Sequence, residues 1–452
     1  MDRQGRLSKT RHFYGWYIVA SSFAILFFNA GARYSFGVMF KPMSAEFGWD
    51  RGSISSAFFL NMTLYAFSLA AAGRFYDRYG PRWVIVVSTL CLSAGYGLVA
   101  FINNLWQFLF CYGIVAAIGL GGTSVTLMAT ITSKWFAKWR GAAVSLALSG
   151  NSIGQFVLIP LFTVYVARHG WRVSYFAIGF IMLVVNMILA IFIIRGDPED
   201  LGQKPLGRET KTEDPSVHEV SKVDLPDLGL SDAVRTRSFW LFLIVMFICG
   251  GGDFLVTTHL IPLVTDHGIS ATTGGNMLAW LGLMSLAGIL IAGPASDLIG
   301  NKIPIGLTFL LRFFLFVMIL KYQNLASFYF FAVAFGFTLL ITAPLNATLM
   351  GRLYGFTHLG ILTGLVTTVH HLGGGFWAYL GGAIFDHTGS YRLAFVLSAI
   401  MALVAVLSTL LILEKKHGSA RCGLNDRCPS LSEQRPSEDP EVSKRPDKKT
   451  EG

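Results

Sequence analysis

The chain has 452 residues, of which 53% are hydrophobic and only 14% charged, where an ordinary soluble domain carries roughly 25% charged residues. That balance excludes a soluble globular enzyme and points to a protein that crosses the bilayer many times. The formal charge of +10 is no nucleic-acid footprint, because most of the 36 Lys and Arg fall on one side of the apolar runs, the side that the positive-inside rule makes cytoplasmic together with both termini.

The N-terminal tail, residues 1–15, carries Arg3, Arg6, Lys9 and Arg11 and reads as a cytoplasmic anchor. No cleavable signal peptide is expected, since the first apolar run is long and more of the same follows it. The first span covers about 16–40 and stops at Lys41-Pro42. Within it Asn29 and Arg33 stand four apart on one helical face, which sets a guanidinium within the depth of the bilayer. Alternatively, Arg33 lies near enough to the outer end of its helix to snorkel into water. The second span, about 54–73, has Asn61 and Tyr65 at the same spacing. A polar, basic hinge follows, Gly73-Arg-Phe-Tyr-Asp77-Arg78-Tyr-Gly80-Pro-Arg82, and then a third span of about 83–101 without charged residues. The fourth span, about 106–130, is rich in Gly113, Gly119, Gly121 and Gly122, which suit close helix packing. The loop Lys134-Trp-Phe-Ala-Lys138-Trp-Arg140 is basic and opens the fifth span, where Asn151 and Gln155 share a face. The sixth, about 175–194, closes a first bundle of residues 16–194.

Residues 195–237 hold Pro198, Pro205, Pro215 and Pro226 among many charges, and read as a cytoplasmic linker, largely unstructured. Six further spans follow at about 239–263, 273–296, 303–320, 325–350, 357–384 and 391–413, a second bundle of residues 238–413. Asp253 lies in the seventh span and His259 nearer its outer end; Asn276 and Trp280 share a face of the eighth, and Thr342 and Asn346 a face of the tenth. Arg312, in the ninth, is expected to serve an interhelical or interfacial role rather than substrate contact. His370 and His371 adjoin in the eleventh, about 100° apart around the helix, and His371 is expected to face the cavity. Arg33 and Asp253, opposite in sign, are expected to pair across the two bundles. Of the five Cys, Cys91, Cys111 and Cys249 sit in apolar segments and Cys422 and Cys428 in the tail, so neither a disulfide frame nor a zinc spacing emerges. The tail, residues 414–452, is charged and Pro-rich and reads as disordered. It is a candidate attachment for a protein partner, with solubilisation the plainer role.

The hinge has an echo: Gly293-Pro-Ala-Ser-Asp297-Leu-Ile-Gly300-Asn-Lys302 repeats its Gly, Asp, Gly and base at one spacing. In matching places of two halves these copies resemble the major facilitator superfamily signature. The resemblance implies that Asp77, Arg78 and Arg82, with Asp297, govern the cytoplasmic gate. Phe13-Tyr14-Gly15-Trp16, and Trp135-Phe136-x-Lys138-x-Arg140 followed by a small-residue helix, resemble the monocarboxylate transporter and oxalate:formate antiporter branch. Arg33 falls within a residue of that branch's first-span base. Its eighth-span Arg, with an Asp one turn before, is replaced here by Gly293 and Ile289.

The expectation is an all-α membrane protein of twelve transmembrane helices in two pseudo-symmetric six-helix bundles, placed in the plasma or inner membrane. It is expected to move a small organic anion, a monocarboxylate before others, by proton-coupled alternating access. Arg33 would hold the anion, lined by Asn29, Tyr65, Asn151, Gln155, Asn276, Trp280 and Asn346, while Asp253 or His371 carries the proton. Two alternatives are a proton-driven exporter of neutral or cationic amphipathic compounds and a transporter-like receptor without flux. No enzyme chemistry, cofactor, metal or nucleic-acid partner is expected.

Overall fold

The computed structural model describes residues 13–207, 230–355 and 358–413. The remainder of the linker, the tail from Glu414 and the side chain of Asp297 lie outside the described residues, and so do the expectations that fall on them. The described residues are helical almost throughout, and nine helices among them are long and apolar enough to span a bilayer. Two of the nine are too long to be single crossings. Arg51–Val99 contains Gly80 at φ 74° and ψ 169°, and Arg140–Ile188 contains Gly170 at φ 80° and ψ 167°, a conformation that costs only glycine nothing.

Packing proves the folds. Gly119 and Gly121 touch Leu92 and Ser68 respectively, residues that would lie roughly 36 Å apart along a straight helix. Likewise Gly154 meets Phe27 while Asn186 bonds Asn29. The membrane helices are therefore α1 Gly15–Phe47, α2 and α3 at 51–79 and 81–99, α4 Leu105–Trp135, α5 and α6 at 140–169 and 171–193, and α7 Arg237–Asp266. Then come α8 Ala271–Ile299, α9 Lys302–Lys321, α10 Leu325–Tyr354, α11 Leu359–Thr388 and α12 Arg392–Leu411. They form two bundles of six that meet along α2 with α11, α5 with α8, and α1 with α7. At one end, the Arg51 end, Asn104, Ser270 and Asn324 each accept the backbone N–H three residues on, which caps helices whose first amides would otherwise lack partners.

The first helix is longer than the sequence pattern implied. Lys41 and Pro42 do not stop it, because Phe40 and Met43 on either side are buried and carry it on to Phe47 after a single turn residue, Ser35. Arg33 consequently lies roughly 20 Å from the nearer end of its helix at 1.5 Å per residue. That is too far for its side chain to reach water at the helix end.

The helices α4 and α10 are both interrupted, the first at Thr123 and Ser124, the second at Leu340 and Ile341. A break in a membrane helix exposes carbonyls that a neighbour must bond. In the first bundle Asn29 donates to the Thr123 carbonyl at 2.8 Å; in the second, Arg312 donates to the Thr338 carbonyl at 2.7 Å.

The two aromatic motifs of the first bundle, 120 residues apart in sequence, meet at the end opposite Arg51. Phe13 packs edge-on against Trp135 and Phe136, and Trp16 against Phe136. The start of the linker is ordered upon them. The Leu206 N–H donates to the Trp135 carbonyl, and the Leu206 carbonyl accepts from Ala137 and Lys138. These backbone bonds, with Leu201 and Leu206 packed on the core and an ion pair from Lys134 to Asp197, hold a stretch whose average composition reads as coil.

Candidate functional site

Arg33 projects from α1 into the seam between the bundles at mid-depth. Its guanidinium carbon lies 5.2 Å from the ring centre of Tyr65 on α2 and 4.9 Å from that of Phe254 on α7, and Nη2 sits 3.3 Å from Met62 Sδ. Nε is buried without a hydrogen-bond partner. Among the described residues no carboxylate lies within ion-pair distance of it. Two aromatic faces attract a cation, each by about 1 kcal/mol or somewhat more when dry, but they do not discharge it. Arg33 is thus a cation prepared for a partner that the fold does not supply.

The pairing expected between Arg33 and Asp253 does not form. Asp253 Oδ1 lies 2.7 Å from Arg312 Nη2, with both side chains almost wholly buried, although the oxygen sits off the line of any N–H. Arg312 also donates from Nε to the Thr338 hydroxyl at 3.0 Å and from Nη1 to the Cys249 carbonyl at 3.2 Å. The physical reason is reach: α9 packs mainly on α12, but the long Arg312 side chain extends across to Cys249 and Asp253 on α7. The Cys249 thiol completes the cluster, 3.7 Å from Asp253 Oδ2 and 3.3 Å from the Thr342 hydroxyl. Cys249, Asp253 and His370 present metal-ligand atoms within 4.8 Å of one another, but the Arg312 charge fills the place a cation would need.

The two histidines divide as neighbours on a helix must. His370 Nε2 lies 3.8 Å from Asp253 Oδ2. His371 turns to the other bundle, its ring edge-on to Tyr65 with centres 4.8 Å apart, and its Nδ1 is 2.8 Å from the Thr367 carbonyl of its own helix. Arg33, Tyr65, Phe254 and His371 therefore form one constellation across the seam, backed by Asp253, His370 and Arg312.

The remaining candidates lie elsewhere. Asn29 is occupied within the first bundle by Thr123 and Asn186. Gln155 bridges the bundles, donating to the Leu278 carbonyl at 2.8 Å, close to the Ser152–Ser285 hydroxyl pair at 2.9 Å. Asn151 faces the Tyr34 hydroxyl, one residue from Arg33. Asn346 is buried with Oδ1 unpartnered, whereas Asn276 is half-buried and Trp280 is largely exposed against Phe156. At the Asp77 end Asp77, Arg78 and Arg82 are all exposed. Phe254 and Met62 escaped notice because an apolar residue in an apolar helix carries no signal of its own. Arg51 and Asp266 escaped because charges at helix ends read as solvated.

Two six-helix bundles facing one another about a mid-depth cation define a carrier of small solutes. The chain belongs to the Major Facilitator Superfamily, whose family model matches residues 22–281 and 244–427. It is 25% identical over 409 residues to the uncharacterized MFS-type transporter YcxA of Bacillus subtilis (strain 168), covering 89% of this chain and 96% of that protein. It is 26% identical over 412 residues to monocarboxylate transporter 11 of Homo sapiens, covering 86% and 81%. With the oxalate:formate antiporter of Oxalobacter formigenes it shares 23% over 396 residues, covering 86% and 89%. In fold it is similar to a bacterial homologue of the human lysosomal transporter Spinster in an inward-facing, unoccupied conformation, with a TM-score of 0.67 at 14% identity over 88% of this chain and 97% of that one.

Proposed function

We propose that this transporter carries a small monovalent organic anion, a monocarboxylate before others, together with a proton by alternating access. The observation that carries the proposal is the charge at mid-depth. Arg312 and Asp253 cancel one another, His370 stands beside that pair, and Arg33 is left over without an acidic partner among the described residues. One uncompensated cation suits one negative charge, and its planar fork matches a carboxylate with two parallel hydrogen bonds. The relatives named for monocarboxylates and for oxalate and formate support the same substrate class. The eighth helix has Gly293 and Ile289 where the monocarboxylate branch has an Arg and an Asp, so Arg33 would have to hold the anion without that second cation.

For the proton, Asp253 and His371 remain the candidates. Protonating Asp253 would leave Arg312 uncompensated and raise the positive charge facing the anion, so proton and anion would bind in mutual support. A cationic cargo would need a free carboxylate, and Asp253 offers none while Arg312 holds it; this weighs against the exporter. By the same charge rule as above, the Asp77 end faces the cytoplasm of a plasma or inner membrane.

The test is ligand-dependent stabilisation of the purified protein across formate, acetate, lactate, pyruvate, oxalate and small amines. Monocarboxylates are expected to raise the unfolding temperature of the wild-type protein and to leave Arg33→Ala unmoved. Stabilisation by amines alone would overturn the proposal.

A further inference from the structure

The bonds between described residues of the two bundles run from Ser152–Ser285 at mid-depth to the Arg51 end, where they are densest. The Arg51 guanidinium, at the start of α2, makes a bidentate pair with Asp266 at the end of α7, at 2.8 and 2.9 Å. It also donates to the Tyr391 hydroxyl at 2.8 Å and lies 3.5 Å from the ring centre of Phe385. Lys41 Nζ reaches the same Asp266 at 2.6 Å. Asp386, at the end of α11, accepts the backbone N–H of Arg51 at 2.9 Å and that of Gly52. A carboxylate of the second bundle thus caps a helix of the first, taking amides that its own bundle leaves without partners.

The chain of bonds continues inward. An arginine can only donate, so the Tyr391 oxygen accepts from Arg51 and its hydrogen is free for His259 Nδ1, 2.9 Å away. His259 Nε2 then carries a proton for the Ala378 carbonyl at 2.7 Å. Around this chain the helices touch backbone to backbone. A Cβ on Gly382 would lie 2.7 Å from the Arg51 carbonyl oxygen, and one on Gly37 would lie 3.0 Å from that of Thr257.

We infer that Arg51 is the latch of this gate: its contacts with Asp266, Tyr391 and Phe385 hold the bundles shut at this end, and the passage of every substrate molecule requires their release. The inference rests on the alternating-access reading but not on the identity of the cargo. Neither the hinge after α2 nor its echo after α8 provides for it, since both lie at the opposite end of the molecule. Arg51 is a positioning residue and touches no substrate. Its contribution is to set which face of the site is open.

A neighbouring ion pair supplies the control. Arg172 donates to Glu46 Oε1 from Nε at 3.0 Å and from Nη2 at 2.9 Å, at the same end, but both residues belong to the first bundle. The experiment places spin labels at A45C and A271C, exposed sites flanking the gate on α1 and α8, with Cys91, Cys422 and Cys428 replaced by serine. Distances are then measured by double electron–electron resonance in lipid nanodiscs without substrate. The ratio of the short-distance to the long-distance population is expected to fall by about tenfold in R51Q, the size of one lost bond to a charged group. D266N, which removes the negative charge shared by Lys41 and Arg51 and turns one acceptor oxygen into a donor, is expected to do the same, and R172Q to leave the distribution of the parent unchanged. Unchanged distances in R51Q and D266N, or an equal shift in R172Q, would overturn the latch. Because no substrate is present, a failure of the anion proposal cannot produce or mask either result.

Discussion

Replacing Arg312 by leucine should damage this protein more than replacing both members of its pair. The wild-type guanidinium pairs with Asp253 and donates to the Thr338 hydroxyl, the Thr338 carbonyl and the Cys249 carbonyl. Arg312→Leu leaves the buried Asp253 carboxylate without its cation, a loss of about 3–5 kcal/mol for a broken buried pair. It also leaves the carbonyl at the α10 break without a donor, about 1–3 kcal/mol more. Asp253→Asn alone strands the guanidinium but preserves its three bonds to Thr338 and Cys249, so its cost should be smaller. In Arg312→Leu/Asp253→Asn no unpaired charge remains. The double variant should therefore recover at least about 2 kcal/mol relative to the sum of the single variants, a coupling of the size found for residues in one network. Chemical unfolding in detergent micelles, followed by tryptophan fluorescence, supplies the four free energies of this cycle. Additive effects, with a coupling below about 0.5 kcal/mol, would refute the matched pair and with it the claim that Arg33 is the only uncompensated mid-depth charge among the described residues.

Three further outcomes follow from the packing. Asn29→Ala removes the donor to the Thr123 carbonyl and should lower stability by about 1–3 kcal/mol, while KM changes less than twofold; a large rise in KM with unchanged stability would place Asn29 in the substrate site instead. Gly382→Leu forces a side chain against the Arg51 backbone, and should shift the A45C–A271C distances towards the longer population; unchanged distances would contradict the close contact seen there. Leu206→Pro deletes the N–H that bonds the Trp135 carbonyl, and should hasten limited proteolysis between residues 195 and 207 several-fold, whereas wild-type rates would show that the linker start is not held by that bond.

The architecture was legible because hydrophobic run length and loop charge report the bilayer directly, and because Gly80 and its counterpart Gly300 punctuate the two halves at one spacing. Arg33 was legible for the same reason, as a charge where charges are expensive. Its true depth was not, since Lys41-Pro42 looks like a stop, and only the burial of Phe40 and Met43 shows the helix continuing past it. The partner of Asp253 was hidden by sequence distance. Nothing in α7 says that a residue 59 positions later on α9 reaches it, and the sequence places Arg312 only in an interhelical or interfacial role. Asn29 illustrates the opposite error. Spacing puts it on the face of Arg33, but the break in α4 creates a carbonyl that claims its amide first. The gate at the Arg51 end was invisible because each of its charges, taken singly, resembles a solvated helix end.

The most direct test of the account is uptake of labelled monocarboxylates into proteoliposomes by the wild-type protein, Arg33→Lys and Arg33→Ala, with the outside made acid or kept at the inside pH. Outside acid is expected to drive accumulation by the wild-type protein. Arg33→Lys, which keeps the charge but loses the bidentate fork, should raise KM by about 10–150-fold, and Arg33→Ala should abolish uptake, magnitudes set by about 1.5–3 kcal/mol for bonds to a charged group. Undiminished uptake by Arg33→Ala would contradict the account, because the one mid-depth cation left without an acidic partner among the described residues would then have no part in transport.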